Sequence, residues 1–196
     1  MSGRLIAVVG PSGAGKDSLI RGIVAARPAI LWVRRAVTRP PDPTEPFESV
    51  SEAEFERRRA AGAFCFAWEA HGLGYGVPRE TLGAVRGGAV TIANLSRTVL
   101  AQAAEVAPLT VLSVTASPAV LAARLAGRGR EDANEIAARL ARAAALPEGL
   151  DVAQISNDGT LRDAVDRALA ALDARGTASG AARIPAPLAR NGQGTT

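Results

Sequence analysis

The chain has 196 residues, 47% of them hydrophobic and 21% charged, so we expect one globular domain with a single core rather than two independent domains. Its one cysteine, Cys65, excludes an internal disulfide framework and favours a cytoplasmic location. The N-terminal residues lack the pattern of a signal peptide, and no apolar run approaches the roughly 20 residues that span a membrane, so no membrane partner is expected. A net charge of +4 points to an anionic partner. The basic residues are scattered without interleaved aromatic side chains, which favours a small phosphorylated ligand over nucleic acid.

Short apolar runs alternate with helical patterns along the chain, which is typical of βαβ units around a parallel sheet. Strands are predicted at 5–9, 30–33, 64–68, 90–93, 110–114 and 152–155. Helices are predicted at 17–26, 51–62, 78–85, 98–104, 118–126, 135–145 and 161–172. The proline-rich segment 38–47 cannot be regular structure, and 71–76 is predicted to be a glycine-rich turn. Residues 176–196 lack periodicity and predict a disordered tail.

A glycine-rich loop joins the first predicted strand to the first predicted helix. It reads Gly10-Pro11-Ser12-Gly13-Ala14-Gly15-Lys16-Asp17-Ser18. Glycines let successive backbone N–H groups turn onto phosphate oxygens, and the helix N-terminus adds partial positive charge. Lys16 is the only lysine among 23 basic residues, in a chain that otherwise uses arginine. The segment therefore predicts a phosphate-binding loop (P-loop) with Lys16 reaching the phosphates of ATP.

The loop departs from the usual P-loop pattern at one position. Ser or Thr normally follows the lysine and binds Mg²⁺, whereas Asp17 holds that place here and Ser18 comes after it. A carboxylate is a good oxygen ligand for Mg²⁺. We therefore expect Asp17 to bind the metal, either directly or through water.

Four segments resemble guanylate kinase and its relatives in order and spacing: the P-loop, Val37-Thr38-Arg39-Pro40, 62–76 and 124–142. The resemblance covers nearly all of residues 3–175. It implies an α/β P-loop kinase domain over 1–175, a three-layer sandwich with a central parallel sheet, a small acceptor-binding subdomain at about 36–88 and a helical lid at about 127–142. It also implies ATP and Mg²⁺ as cofactors.

Four shorter phrases, at 15–18, 70–77, 94–97 and 128–136, are most similar to one branch of this family. That branch phosphorylates ribose 1,5-bisphosphate to 5-phosphoribosyl 1-diphosphate during bacterial phosphonate breakdown. Guanylate kinases carry a glutamate where Phe66 stands, and its carboxylate reads the guanine edge. Because phenylalanine cannot accept those hydrogen bonds, the resemblance implies loss of guanine preference. The alternative is that Phe66 is a core strand residue.

The resemblance also assigns residues to the acceptor. Arg39 matches the arginine that grips the acceptor phosphate, and Tyr75 the tyrosine that donates a hydroxyl to it. A second arginine expected shortly after Arg39 is missing, and Arg97 or Arg79 are the candidates to replace it. Further residues placed along the same cleft are Trp68, His71 and Asn94. His71 is explained equally well as a turn residue.

The remaining predicted site residues lie in the lid and after the last strand. By resemblance, Arg128, Arg130 and Arg139 close over the transferred phosphoryl group, while Asn157 lies near the adenine or simply in a turn. If the acceptor group is a phosphate, its second pKa near 6 makes it a nucleophile at neutral pH, so no general base is needed. The expected partners are ATP and a small phosphorylated sugar, and a homodimer stays open.

Two other functions compete with this one. The first is a nucleoside monophosphate kinase with altered base preference. The second is an interaction module of guanylate-kinase type without catalysis. Lys16 and the arginines of the predicted lid argue against the second, since docking alone does not require them.

Overall fold

A five-stranded parallel sheet forms the centre of the computed structural model, which describes residues 3–42, 45–126 and 145–176. Its strands are β1 (Arg4–Val9), β2 (Leu31–Trp32), β7 (Val90–Asn94), β8 (Leu109–Thr115) and β9 (Val152–Ser156). They lie in the order β2-β7-β1-β8-β9. This order places the end of β1, where the P-loop begins, between the ends of β7 and β8.

Helices cover both faces of this sheet. The described helices are α1 (Lys16–Ala26), α2 (Glu52–Ala60), α3 (Glu80–Arg86), α4 (Leu100–Val106), α5 (Pro118–Ala126) and α6 (Leu161–Asp173), with a 3₁₀ turn at Arg97–Val99 before α4. Of these, α2 packs against a second sheet instead. Along β1, Ile6 and Val8 pack with residues of α1 and α6, whereas Leu5, Ala7 and Val9 pack with residues of α3 and α4. Burial on both faces explains the continuous apolar run of this strand. The predicted three-layer α/β arrangement around a parallel sheet is confirmed.

A second, four-stranded sheet stands beside the first. It contains β3 (Ala36–Val37), β4 (Glu48–Ser49), β5 (Phe64–Ala70) and β6 (Leu73–Pro78) in the order β4-β3-β6-β5. The β3–β4 pair is parallel, and β6 runs antiparallel to both β3 and β5. This sheet and α2 fall inside the range predicted for the acceptor-binding subdomain.

The glycine-rich turn predicted at 71–76 is wrong in extent. Only His71 and Gly72 form the turn of the β5–β6 hairpin, with φ of 54° and 70°, which is the backbone of a two-residue type I′ connection. The next glycines belong to β6. A Cβ at Gly74 would lie 2.8 Å from the Phe55 ring, and one at Gly76 would lie 2.7 Å from the Phe64 ring. These glycines therefore make room for aromatic packing inside a strand rather than forming a turn.

The start of α2 agrees with the prediction, because Ser51 Oγ accepts a hydrogen bond of 3.2 Å from the Glu54 backbone N–H. The Glu54 carboxylate pairs with Arg58 at 2.6 Å. A reciprocal capping box is found at the start of α6, between Thr160 and Asp163.

Several predictions lie outside the described residues: the helix at 135–145, the lid and the tail after residue 176. Within the described ranges, no helix combines the length and hydropathy that crossing a membrane needs.

Candidate active site

The P-loop turns tightly between β1 and α1. Gly10, Gly13 and Gly15 have φ values of 150°, 81° and 83°, which favour glycine. A Cβ at Gly10 would lie 2.3 Å from the Val114 carbonyl oxygen, and one at Gly15 would lie 2.5 Å from Asn157 Nδ2. The loop is therefore packed against the ends of β8 and β9. Among the described residues, no side chain caps the first turn of α1, so its N–H groups are available to an anion.

Lys16 folds over this loop. Its Nζ donates hydrogen bonds to the carbonyl oxygens of Gly10 at 3.0 Å and Pro11 at 2.8 Å. Burial lowers the pKa of the Lys16 ammonium to about 8; the charge of Asp17 opposes this shift, and that of Arg35 adds to it. A phosphate chain brought beside this ammonium would favour its charged form.

Asp17 and Asn94 were both predicted at the site, and the structure brings them together. Asn94 Nδ2, at the end of β7, donates a hydrogen bond of 3.2 Å to Asp17 Oδ1 in the first turn of α1. Asn94 is buried, so the carboxylate is fixed beside Lys16. Ser18 follows Asp17 in α1, while Ser12 is exposed at the tip of the loop.

This donor set fits Mg²⁺. The ion prefers oxygen ligands and is commonly held by one or two carboxylates together with substrate phosphates and water. Asp17 supplies such a carboxylate at the P-loop. Within the described residues, no group of three or more His, Cys, Asp or Glu side chains forms a larger metal site.

Asn157, predicted near the adenine or in a turn, holds the P-loop. Its Nδ2 donates a hydrogen bond of 2.8 Å to the Ala14 carbonyl oxygen, and its side chain is buried. The backbone oxygen of Asn157 accepts a hydrogen bond of 2.9 Å from Arg124 Nη2. Arg124 Nη1 is buried, has no partner among the described residues and would lie 3.9 Å from a Cβ at Gly15. This donor is therefore free to meet an anion at the loop.

Trp68 and Tyr75, both predicted to line the acceptor cleft, face each other across β5 and β6. Their rings stack with centroids 5.4 Å apart and planes 4° from parallel. The Arg35 guanidinium lies 5.4 Å from the centre of the Tyr75 ring. Burial raises the pKa of the Tyr75 phenol, so its hydroxyl stays protonated at neutral pH and can donate a hydrogen bond.

Arg39 is held by acidic and aromatic neighbours. Its Nη2 forms an ion pair with Glu45 and lies 4.0 Å from Asp42, and its guanidinium lies 4.4 Å from the centre of the Phe47 ring. The other oxygen of Glu45 accepts a hydrogen bond of 2.7 Å from Arg35 Nη2. A second phosphate-binding arginine was predicted after Arg39 and is missing there. The structure places Arg35, a buried arginine, four residues before it.

The sequence carried only a weak signal for Arg35. Arg34 and Arg35 are adjacent, and alternation along an extended segment turns one of them inward and the other outward. Arg34 is the exposed one, and its Nη2 donates a bond of 3.3 Å to the Phe47 carbonyl oxygen.

The other residues predicted at the site make fewer contacts with the P-loop and with Arg39 and Tyr75. Arg97 lies in the 3₁₀ turn before α4, and its charge lowers the pKa of Lys16 slightly. His71 is exposed at the hairpin tip and takes no part in the hydrogen bonds and ring contacts described for the site, and Arg79 is exposed at the start of α3.

Phe66 is only 1% exposed and packs in the apolar core with Val77, so it is a core strand residue and not an acceptor-lining one. Arg128, Arg130 and Arg139 lie outside the described residues.

Comparison with known proteins gives relatives of similar length. No protein-family model matches the chain. A ribose 1,5-bisphosphate phosphokinase from Ruegeria sp. strain TM1040 is 52% identical over 176 residues, covering 88% of this chain and 93% of that protein. One from Acidiphilium cryptum strain JF-5 is 52% identical over 150 residues, covering 75% and 81%. A guanylate kinase structure from Anaplasma phagocytophilum aligns with a TM-score of 0.66 at 20% identity, over 89% of this chain and 86% of that one. That last similarity shows the fold alone.

Proposed function

The chain belongs to the ribose 1,5-bisphosphate phosphokinase family, and from this premise we propose that it transfers the γ-phosphoryl group of ATP to the 1-phosphate of ribose 1,5-bisphosphate. The products are 5-phosphoribosyl 1-diphosphate and ADP. The sequence identity, 52% over 88% of this chain and 93% of the relative from Ruegeria, carries this proposal. The relatives do not favour a nucleoside monophosphate kinase or a module without catalysis.

The nucleotide half of the site is the P-loop. The amides of the loop and of the first turn of α1 bind the phosphate chain, and Lys16 leaves the carbonyls of Gly10 and Pro11 to bind its outer phosphates. The free donor of Arg124 lies beside the same loop and adds positive charge there. Asn157 keeps the loop in shape through its bond to Ala14.

Asp17 is the residue that would hold Mg²⁺, oriented by the Asn94 amide. When bound, the ion neutralises charge on the phosphates of ATP during transfer. The other contributions come from backbone amides and side chains of the protein itself.

The acceptor half lies on the second sheet. Arg39 and the Tyr75 hydroxyl bind the acceptor and align an oxygen of its 1-phosphate with the γ-phosphorus. That oxygen forms the new P–O bond as the bond between the γ-phosphorus and the β,γ-bridging oxygen breaks, and ADP leaves with the electron pair. The acceptor phosphate is already ionised at neutral pH, so no base has to remove a proton.

Two further parts of the proposal rest on resemblance, and the proposed location rests on the cofactor and the cysteine. Arg128, Arg130 and Arg139 close over the moving phosphoryl group and exclude water. The lid at about 127–142 and the subdomain at about 36–88 belong to one kinase domain over 1–175. The use of ATP and the single free Cys65 favour a cytoplasmic location.

A coupled assay of ADP release tests the proposed function. Purified protein is given ATP and Mg²⁺ with ribose 1,5-bisphosphate, GMP, AMP or no acceptor. We expect rapid ADP release with the sugar bisphosphate and only background release in the other three. Faster release with GMP or AMP would replace the proposal with a nucleotide kinase, and no release with any acceptor would refute catalysis.

A further inference from the structure

One carboxylate bridges two arginines on the acceptor side of the site. Glu45 Oε1 accepts from Arg35 Nη2 at 2.7 Å, and its other oxygen pairs with Arg39. The side chains of all three residues are largely shielded from solvent, with exposed fractions of 9%, 20% and 21% for Arg35, Glu45 and Arg39. Two guanidinium groups therefore converge on one anionic group in a sheltered place.

This arrangement suits a phosphate group as well as a carboxylate. A guanidinium presents its N–H groups as a planar fork that matches the oxygens of either anion. The Nε of Arg39 is buried and has no partner among the described residues, so one donor at the clamp is still unused. A phosphate dianion offers more charge and one more acceptor oxygen than the carboxylate of Glu45 does.

The two arginines and Glu45 also lie near Tyr75 and Lys16, the groups proposed to act in the transfer. The Arg35 guanidinium lies 5.4 Å from the centre of the ring of Tyr75, the residue whose hydroxyl is proposed to bind the acceptor. The charges of Arg35 and Glu45 both act on the ammonium of Lys16, which puts the clamp within electrostatic reach of the P-loop. An anion bound by Arg35 and Arg39 would therefore lie near both the Tyr75 ring and the Lys16 ammonium.

Glu45 belongs to a segment that can release it. Residues 38–42 and 45–47 of the proline-rich segment contain no helix or strand. Among the described residues, the backbone of Glu45 makes two local hydrogen bonds: its N–H donates to the Asp42 carbonyl at 3.2 Å, and its carbonyl accepts from the Phe47 N–H at 3.1 Å. Rotation of the side chain away from the arginines breaks neither bond.

We propose that Arg35 and Arg39 form a clamp for a phosphate group of the acceptor, and that Glu45 occupies this clamp until the phosphate displaces it. The inference rests on the proposed function and adds Arg35 as a residue that determines specificity. An acceptor without the matching phosphate leaves Glu45 in place. A dianionic phosphate displaces it and gains contacts to both guanidinium groups. The clamp thus supplies the second arginine that the sequence did not show after Arg39.

Steady-state kinetics of R35K, E45Q and the control R34K test the clamp. Lysine keeps the charge of Arg35 but loses the planar fork, so R35K should raise the KM for ribose 1,5-bisphosphate by about ten- to a hundredfold. E45Q removes the competing charge and should lower that KM severalfold. R34K makes the same change one residue away, on an exposed side chain. It should leave the KM for ribose 1,5-bisphosphate and the KM for ATP within about twofold of the wild type.

A purely structural ion pair would give a different pattern. If R35K changes the acceptor KM no more than R34K does, or if E45Q raises it, the clamp is refuted. The KM for ATP should stay within about twofold in R35K, which shows that the variant is folded. If R35K does not fold, the direction of the E45Q effect decides. A wild type without turnover on ribose 1,5-bisphosphate would instead refute the proposed function itself.

Two single phosphates identify the group that the clamp holds. Ribose 5-phosphate lacks the accepting group and is tested as a competitive inhibitor, and ribose 1-phosphate lacks the distal phosphate and is tested in the same way. If R35K weakens inhibition by ribose 5-phosphate alone, the clamp binds the distal phosphate. If it weakens inhibition by ribose 1-phosphate alone, the clamp binds the reacting phosphate. Equal inhibition of R35K and the wild type by both compounds would overturn the inference.

Discussion

The Asn157 side-chain amide donates a hydrogen bond of 2.8 Å to the carbonyl oxygen of Ala14, 143 positions earlier in the chain. This bond ties the residue that follows the last strand of the central sheet to the middle of the P-loop. The same amide nitrogen fills the space beside Gly15, where a Cβ would lie only 2.5 Å away. The shape of the phosphate site therefore depends on a residue far from it in sequence.

Replacing Asn157 by alanine should loosen the loop. The Ala14 carbonyl would lose its buried donor, which typically costs about 1–3 kcal/mol of unfolding free energy. We expect N157A to lower the urea midpoint and to raise the KM for ATP. The control is Q154A, at an exposed position of β9, which should change neither. If both variants keep the wild-type values, the bond does not support the loop.

Lys16 should be essential for transfer but not for folding. Its ammonium is buried against two carbonyl groups, and burial lowers its pKa, so the charge costs free energy in the folded chain. We expect K16M to lower kcat/KM for ATP by at least about a hundredfold. Its thermal midpoint should equal or exceed that of the wild type. Activity close to the wild type would remove Lys16 from the mechanism.

Above pH 8, the binding of ATP should be accompanied by the uptake of a proton by Lys16. The pKa of Lys16 is about 8 in the folded chain, and the charged form binds phosphate, so ATP affinity should be level below that pH and fall above it. Calorimetry at pH 8.5 in two buffers of different ionisation enthalpy measures the uptake. K16M should show none, whereas equal uptake in both proteins would assign it to another group.

The same group predicts a change in stability with pH. Its pKa falls from 10.5 to about 8 on folding, so the unfolded chain binds more protons between these values. The contribution of Lys16 to the free energy of unfolding should therefore rise as pH increases from about 8 towards 10.5. The difference in unfolding free energy between the wild type and K16M, measured by urea titration at pH 7, 8 and 9.5, should change in that direction. A difference that does not vary with pH would contradict the lowered pKa.

The carboxylate of Asp17 should determine the Mg²⁺ concentration that the reaction requires. In D17N the side chain keeps its size and loses its charge, so we expect the Mg²⁺ concentration for half-maximal rate to rise about tenfold. D173N is the control, since that carboxylate pairs with Arg27 on the outside of the fold. An unchanged magnesium curve in D17N would mean that Asp17 does not assist the metal.

The hydroxyl of Tyr75 should act on the acceptor alone. Phenylalanine keeps the ring that stacks on Trp68, so Y75F should raise the acceptor KM several-fold and leave the ATP KM unchanged. Burial raises the pKa of this phenol, so the difference between Y75F and the wild type should be the same at pH 7 and pH 9. An equal rise in both KM values would indicate a structural role.

Features coded by neighbouring residues could be predicted from the sequence. The strands and helices of the central sheet follow from apolar runs and helical spacing, and the P-loop follows from glycines around one lysine. Asp17 could be placed at the phosphate site from its position in the P-loop, and Asn94 at the acceptor cleft from the resemblance, but the hydrogen bond that joins them was not predicted.

Features that depend on distant contacts could not be predicted. Gly74 and Gly76 look like turn residues until Phe55 and Phe64 are seen to pack against them. The inward direction of Arg35 depends on the path of a short segment that has no periodicity. Asn157 could be recognised as a candidate from its place after a strand, yet its partner Ala14 is 143 positions away.

Phosphorus NMR of the reaction mixture tests the central claim most directly. The wild-type protein is incubated with ATP, Mg²⁺ and ribose 1,5-bisphosphate. We expect the signal of the sugar 1-phosphate to be replaced by the two coupled signals of a diphosphate, while the 5-phosphate remains a monoester and ATP becomes ADP. Formation of ADP with inorganic phosphate alone, or of a diphosphate at the 5-position, would contradict the transfer proposed for this site.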